Sequence, residues 1–199
     1  MDIKKAHLQF TSLSKRSQTK YIIIHHTAST SDMTVESIHQ QHLNQGWAGI
    51  GYNLYINKKG EIWEGRPVEM SGAQCEGFNS SSVGVCLSGN FEIEEPNQKQ
   101  ITALKEVIKY LKGKYPNACI VGHRDLNATA CPGKNLYSKL GSVIANSNTP
   151  KDEYVKVFMT NNKLSVVQSN GKKFTYNIPK GTTKEDFIVD LAHGLKITK

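Results

Sequence analysis

No stretch of this 199-residue chain approaches the roughly 18–20 uninterrupted apolar residues that a membrane-spanning helix requires. The N-terminal segment MDIKKAHLQFTSLSKRS is positively charged, but no apolar run of about 7–15 residues follows it, so a Sec-type signal peptide is not expected. Cysteine is scarce: four residues, too few for a disulfide scaffold. They stand at positions 75, 86, 119 and 131 without a C-x-x-C pair, which argues against an all-cysteine zinc knuckle or a thioredoxin-like dithiol. There is no internal repeat, no low-complexity tract and no recognisable RNA- or DNA-binding motif.

What is present is a chain with 38% hydrophobic residues, long enough for one full domain with a small addition. Lys and Arg number 25 against 17 Asp and Glu, a net charge of +8 that raises polyanions as partners. The charge is unevenly spread. Residues 1–20 carry five basic side chains (Lys4, Lys5, Lys15, Arg16, Lys20) against Asp2, and residues 150–199 carry nine against five. Residues 21–149 carry eleven of each sign and are neutral. With no basic stripe across the centre, nucleic-acid binding is rejected.

Periodicity organises the centre. Tyr21-Ile22-Ile23-Ile24 is a short β-branched run, read as a buried strand that delivers His25 and His26 to its end. Val35, Ile38, His42 and Leu43 recur at helical spacing and predict a helix near 34–45, stopped by Gly46. A hairpin is expected over Gly51–Ile56 and Glu61–Glu64 around Asn57-Lys58-Lys59-Gly60, and a strand over Ser82–Leu87. The clearest helix is 98–114, where Ile101, Leu104, Val107, Ile108 and Leu111 share a face and Asn97 with Gln100 resembles a capping box. Cys119-Ile120-Val121 predicts a further strand ending at Gly122-His123-Arg124-Asp125, before a short helix presenting Leu136, Leu140 and Val143.

Asn146–Pro150 reads as a linker, dividing a domain of residues 1–147, with a basic N-terminal arm over 1–20, from a small module of residues 148–199. In that module Tyr154–Thr160, Leu164–Gln168 and Phe174–Ile178 are expected as strands, followed by a helix capped by Thr183 with Asp186. A binding role and a purely structural extension are both open for it.

A hydrolytic zinc site takes three N, S or O donors and leaves a fourth position open. His25 or His26, His123 and Cys131 each sit where a strand hands over to a loop, the usual place for site residues on a rigid scaffold. From spacing alone, a buried structural role for any one of them is the commoner outcome.

A resemblance sharpens the choice. Ile23-Ile24-His25-His26-Thr27-Ala28, Gly46-Trp47-Ala48-Gly49-Ile50-Gly51-Tyr52-Asn53, Glu64-Gly65-Arg66, Gly77-Phe78-Asn79 with Ser82-Val83-Gly84-Val85, Gly89-Asn90-Phe91, and Gly122-His123-Arg124-Asp125 with Thr129-Ala130-Cys131-Pro132-Gly133 occur in this order. Together they resemble the blocks of the zinc-dependent type-2 N-acetylmuramoyl-L-alanine amidases, a superfamily that includes phage amidases, bacterial autolysins and animal peptidoglycan recognition proteins. The resemblance covers roughly residues 21–140. It implies an α/β fold with a central mixed sheet flanked by helices and Zn²⁺ at the sheet edge, held by His25, His123 and Cys131.

The implied reaction is hydrolysis of the amide between the lactyl group of N-acetylmuramic acid and the L-alanine of the stem peptide. Bacterial peptidoglycan is the implied partner, with anionic wall polymers as a further partner for the basic ends, and cell-wall binding is then the functional reading of residues 148–199 beside the structural one. Tyr52 matches the family tyrosine that orients water and hydrogen-bonds the oxyanion. Thr129 stands where some members have Lys, and a hydroxyl there can donate a hydrogen bond but no charge. Trp47, Asn53 and Asn79 are implied to line the peptide groove, and Arg66 is either a groove residue or a structural ion pair.

The chain also departs from the pattern. Some relatives carry a catalytic Glu where Cys86 stands here, and Cys86 is read as a small buried residue. A substrate-contacting His of the family is replaced by Gln74, which can hydrogen-bond but cannot serve as an acid, and Cys75 follows with a disulfide left open. Strand alternation sends His26 to the face opposite His25, as packing or support. His39 and His42, three apart on the first helix, are read as a partly exposed helical face rather than a metal pair. Some recognition proteins bind without cleaving, typically with the cysteine ligand replaced, so the retained Cys131 favours an enzyme over that alternative. The setting implied is a phage endolysin released from the host cytoplasm, or an autolysin exported by another route.

Overall fold

The computed structural model describes residues 1–147, 156–160, 163–167 and 173–177. The chain divides into two compact units, Met1–Asn148 and Thr149–Lys199.

The first unit is built on a six-stranded mixed sheet. Its strands are β1 (Ile3–Lys4), β2 (Tyr21–His26), β3 (Leu54–Ile56), β4 (Ile62–Glu64), β5 (Ser82–Leu87) and β6 (Cys119–Gly122), in the spatial order β1-β4-β3-β5-β2-β6. The helices are α1 (Val35–Asn44), α2 (Gln98–Lys114) and α3 (Lys134–Ser147). At the centre β2 runs parallel to both β5 and β6, and β3 is parallel to β5. Strands covered on both faces must be apolar on both, which is why Ile22, Ile23 and Ile24 form an unbroken run and are all fully buried.

The period-two alternation of strands sorts the two faces. Ile22, Ile24, Leu54, Ile56, Val83, Val85 and Leu87 pack against Leu104, Val107, Ile108 and Leu111 of α2 and Leu136, Leu140 and Val143 of α3. Each fully buried aliphatic side chain there contributes about 1.5–3 kcal/mol of transfer free energy. On the opposite face, Tyr55 and Cys86 pack with Val35 and Ile38 of α1 and with Ile50.

The helix signals read from sequence hold to the residue in α2: the Asn97 side chain accepts from Gln100 N–H, and the Gln100 side chain accepts from Asn97 N–H. Thr34 caps α1 by accepting from Ser37 N–H. The last helix runs further than expected, so Asn146 and Ser147 are helical rather than linker.

Residues 1–20 are not a free basic arm. Ile3 and Lys4 add a parallel strand beside β4, and Leu8 and Phe10 pack against the α1 face of the sheet. Lys4 pairs with Glu61 and Lys5 with Glu64. Arg16 is buried, donating to Thr19 Oγ1, the Met70 carbonyl and the Tyr115 hydroxyl.

In the second unit β7 (Lys156–Thr160), β8 (Lys163–Val167) and β9 (Lys173–Asn177) form an antiparallel meander. These are the three strands expected from sequence, with ends shifted by one or two residues. The helix expected beyond Thr183 lies outside the described residues.

Candidate metal centre

Two chain segments meet at the C-terminal ends of the central parallel strands. The first is the end of β2, where His25 follows three buried isoleucines onto the α1 face of the sheet. The second is the turn after β6. There Asp125 Oδ2 accepts from Gly122 N–H, Arg124 N–H donates to the Cys131 carbonyl, and the Arg124 guanidinium donates to Glu92 Oε1 and to the Ala130 carbonyl. These bonds fold residues 123–131 back on themselves. Gly133 lets the return pass close by the neighbouring loop: its φ is 88°, and a Cβ there would lie 2.4 Å from the Phe91 carbonyl carbon.

The result is that donor atoms of His25, His123 and Cys131 all lie within 4.8 Å of one another. His25 Nδ1 is 3.5 Å from Cys131 Sγ. Two donors on one tetrahedral zinc, with Zn–S of ~2.3 Å and Zn–N of ~2.0–2.1 Å, stand about 3.6 Å apart, so this pair fits the ion. Burial, with His123 close by, holds His25 down at about 3, and burial lowers His123 as well. Both imidazoles are therefore neutral near pH 7, the form that offers a lone pair to a metal. Burial pushes the Cys131 thiol up to about 12, partly opposed by a hydrogen bond from the His26 backbone and by the Arg124 charge. A divalent cation inverts that preference, because a coordinating thiol is deprotonated.

Beside the cluster, a cavity of about 410 Å³ is lined by His25, Tyr52, Trp47, Thr129 and Cys131. It shares Trp47, Ala73, Gln74, His123 and Thr129 with a larger open groove of about 750 Å³, so the three donors stand at one end of a continuous trough. The Tyr52 ring lies 5.2 Å from that of His25, and burial keeps its phenol protonated far above its ordinary range. It is a donor, not a base. Thr129 Oγ1 accepts from Cys131 N–H, which leaves the hydroxyl proton free to donate into the cavity.

The other candidate residues separate. Trp47 lines both cavities, is 43% exposed and leans on the His42 ring, as a groove wall requires. Asn79 lines the larger groove and also shapes it, with Oδ1 accepting from the backbone N–H of Gln74 and Cys75. Asn53 does not line the groove. It is fully buried, donating to the Pro67 and Met70 carbonyls and accepting from Gly84 N–H, and so ties β3 to β5 and to the loop beyond β4.

Arg66 lines the groove and, among the described residues, makes no ion pair; its guanidinium donates to the Ile50 and Ser71 carbonyls. His39 and His42 are not an exposed face. Both are buried, and their Nδ1 atoms accept from the backbone N–H of Ile50 and Gly51, fastening the loop that carries Tyr52. His26 lies on the opposite face from His25, accepting from Phe91 N–H. Cys86 is buried against Tyr52, and burial drives its thiol well up, as befits a small packing residue. The cysteines are free thiols, and Cys75 donates to Asn127 Oδ1. Arg124 and Asn127, which brace the His123–Cys131 return, carry no signal in the sequence that marks them as supports.

Comparison with known proteins agrees with the geometry. An endolysin of Enterobacteria phage K11 is 36% identical over 148 residues, covering 70% of this chain and 96% of the relative. The N-acetylmuramoyl-L-alanine amidase LysC from Clostridium intestinale URNW superposes with a TM-score of 0.71 at 33% identity, covering 75% of this chain and 99% of that one. A Drosophila PGRP-LB mutant in complex with tracheal cytotoxin superposes with a TM-score of 0.63 at 29% identity, covering 69% and 88%. Residues 15–134, which contain all three donors, Tyr52 and Thr129, match the N-acetylmuramoyl-L-alanine amidase family, and the chain belongs to that family.

Proposed function

We propose that this amidase is zinc-dependent and cleaves peptidoglycan between the lactyl group of N-acetylmuramic acid and the L-alanine of the stem peptide, as an endolysin does. The observation that carries the reading is the convergence of His25, His123 and Cys131 within 4.8 Å at one end of an open trough.

His25, His123 and Cys131 would hold the metal, as two neutral imidazoles and a thiolate. Bound zinc supplies Lewis acidity and a positive charge beside the carbonyl that is attacked. The Tyr52 phenol, kept protonated by burial, donates a hydrogen bond to the oxygen that gains charge. The Thr129 hydroxyl, which lines the same cavity, donates a second hydrogen bond there. Trp47 and the loop shaped by Asn79 form the wall along which the stem peptide lies. The overall balance is hydrolytic: one water gives its hydroxyl to the lactyl carbon and a proton to the departing alanine amine.

Phage endolysin relatives and the peptidoglycan-recognition proteins among the relatives support the wall as the site of action. Residues 148–199 serve as a wall-attachment module in this reading, supported by their excess of nine basic over five acidic side chains from residue 150 onward.

The test is analysis of the products. Purified protein with about one zinc per chain should release stem peptides bearing new N-terminal L-alanine from peptidoglycan, without new sugar reducing ends. A rise in reducing ends would make it a glycosidase. Tight binding without cleavage would make it a recognition protein.

A further inference from the structure

Gln74 is nearly buried, and both ends of its side-chain amide are engaged with the protein. Its Oε1 meets His25 Nε2, and its Nε2 donates to Ser82 Oγ at 2.8 Å. Ser82 Oγ in turn donates to the Phe78 carbonyl at 2.8 Å. The Gln74 backbone N–H is held by Asn79 Oδ1.

The directions of these bonds are determined from the far end. The Phe78 carbonyl can only accept, so the single Ser82 hydroxyl proton is committed to it. Ser82 Oγ must then accept from Gln74, which orients the amide with its NH₂ on Ser82 and its oxygen on His25. A carbonyl oxygen cannot donate, so His25 carries its proton on Nε2 and leaves the Nδ1 lone pair facing Cys131 Sγ, 3.5 Å away.

Space for this arrangement is left by two glycines, one on β5 and one in the loop beyond β4. A Cβ on Gly84 of β5 would stand 2.8 Å from Gln74 Cγ and 2.9 Å from Cδ, and a Cβ on Gly72 would stand 2.8 Å from Cγ. The side chain therefore lies in a slot that only glycine leaves open on both sides, pressed toward His25.

We propose that Gln74 is a positioning residue for the metal: it fixes the tautomer and ring orientation of His25 so that Nδ1 is presented to zinc. The role rests on the zinc reading above. Metal-bound histidines commonly donate their other ring N–H to an oxygen acceptor, and the acceptor sets ligand basicity and aim. Gln74 supplies that acceptor without a charge, and Ser82 keeps it from rotating.

The experiment compares wild type, Gln74→Met, Gln74→Glu and Cys131→Ser by competition for zinc with a chromophoric chelator. Far-UV circular dichroism of the metal-free proteins checks that each is folded. Met keeps the length and loses the acceptor, whereas Glu keeps an acceptor at the same reach. Gln74→Met should bind zinc about 10–100-fold more weakly, with Gln74→Glu within about threefold of wild type. Ring ¹⁵N–¹H spectra of zinc-loaded protein should show His25 protonated at Nε2 in wild type and Gln74→Glu, with that proton exchanging rapidly with water in Gln74→Met. A purely structural Gln74 would not move that signal. If Gln74→Met binds zinc as wild type does while Cys131→Ser binds none, the role of Gln74 falls and the metal site stands. An unchanged zinc affinity with a raised KM would make Gln74 a substrate contact and overturn it equally. Wild type without zinc affinity would remove the metal reading and this inference with it.

Discussion

His25 Nδ1 and Cys131 Sγ lie 3.5 Å apart across 106 residues of chain. One is delivered by a buried parallel strand and the other by a loop that returns along its own backbone hydrogen bonds. Each donor sits on a support that is paid for by the core, so a metal meets them already close and does not have to gather them.

Replacing Cys131 by Ser should remove zinc and activity together. In wild type, zinc at 100 times its Kd adds about 2.7 kcal/mol to the stability of the folded state, so thermal melts should rise with added zinc. The Cys131→Ser protein should show no such rise. Activity in Cys131→Ser at the wild-type rate would sink the ligand assignment.

Tyr52→Phe removes one hydroxyl and little else. Zinc content should be unchanged, and kcat should drop by about 10²–10³, the usual loss for one oxyanion donor, with KM nearly constant. Steady-state kinetics on a soluble muramyl peptide separates these two terms. A change in KM alone would place Tyr52 in substrate binding.

Asn53 and Trp47 stood together as groove residues on sequence, and they should behave oppositely. Asn53→Ala strands Gly84 N–H and takes one of two donors from each of the Pro67 and Met70 carbonyls, which keep Met70 N–H and Arg16, so it should cost about 1–3 kcal/mol in urea unfolding. Trp47→Ala should stay within about 1 kcal/mol of wild type and raise KM. Equal stability of the two variants would contradict the burial of Asn53.

His42 sets a dependence of stability on pH. Burial, reinforced by Arg66 and His39, lowers it from 6.5 to about 4 in the folded protein. The folded state thus holds His42 neutral where the unfolded chain would protonate it. The stabilisation is complete above about pH 6.5 and is lost as pH falls toward 4. Between pH 7.5 and pH 4.5, wild type should lose on the order of 2 kcal/mol more than His42→Gln, both measured metal-free by urea unfolding. The remaining titrating groups are common to the two proteins and cancel in the difference.

Removing residues 149–199 tests the attachment role. The truncated protein should cleave soluble muramyl peptides as the full chain does but sediment less with isolated cell walls. Full-length binding should weaken as salt rises from about 0.05 to 0.5 M, where screening shortens the reach of exposed charges. Undiminished sedimentation after truncation would leave the module a structural extension.

Much of the fold is legible locally. The limits of α2 follow from an apolar repeat and a two-residue capping box, and β2 follows from four apolar residues in a row, because such signals are complete within a few positions. The opposite facing of His25 and His26 is likewise a local fact of strand geometry. The candidate ligands could be named from ordered motifs, but spacing alone left His25 and His26 equivalent as donors.

The sequence by itself determined the main helices and strands between residues 21 and 147, which residues have the chemistry to hold a metal, and that the excess charge lies toward the two ends. Tertiary structure decided what those residues touch. It turned Asn53 inward as a strap between strands, enclosed His39 and His42 as acceptors for a loop, gave Arg66 carbonyls instead of a carboxylate, and wove the basic N-terminal residues into the sheet edge. It also laid Gln74 over Gly84 and against His25. The physical reason is one of range. Periodicity and capping are settled by neighbours within one or two turns of chain, whereas burial and hydrogen-bond partners depend on a strand order that sets residues dozens of positions apart side by side.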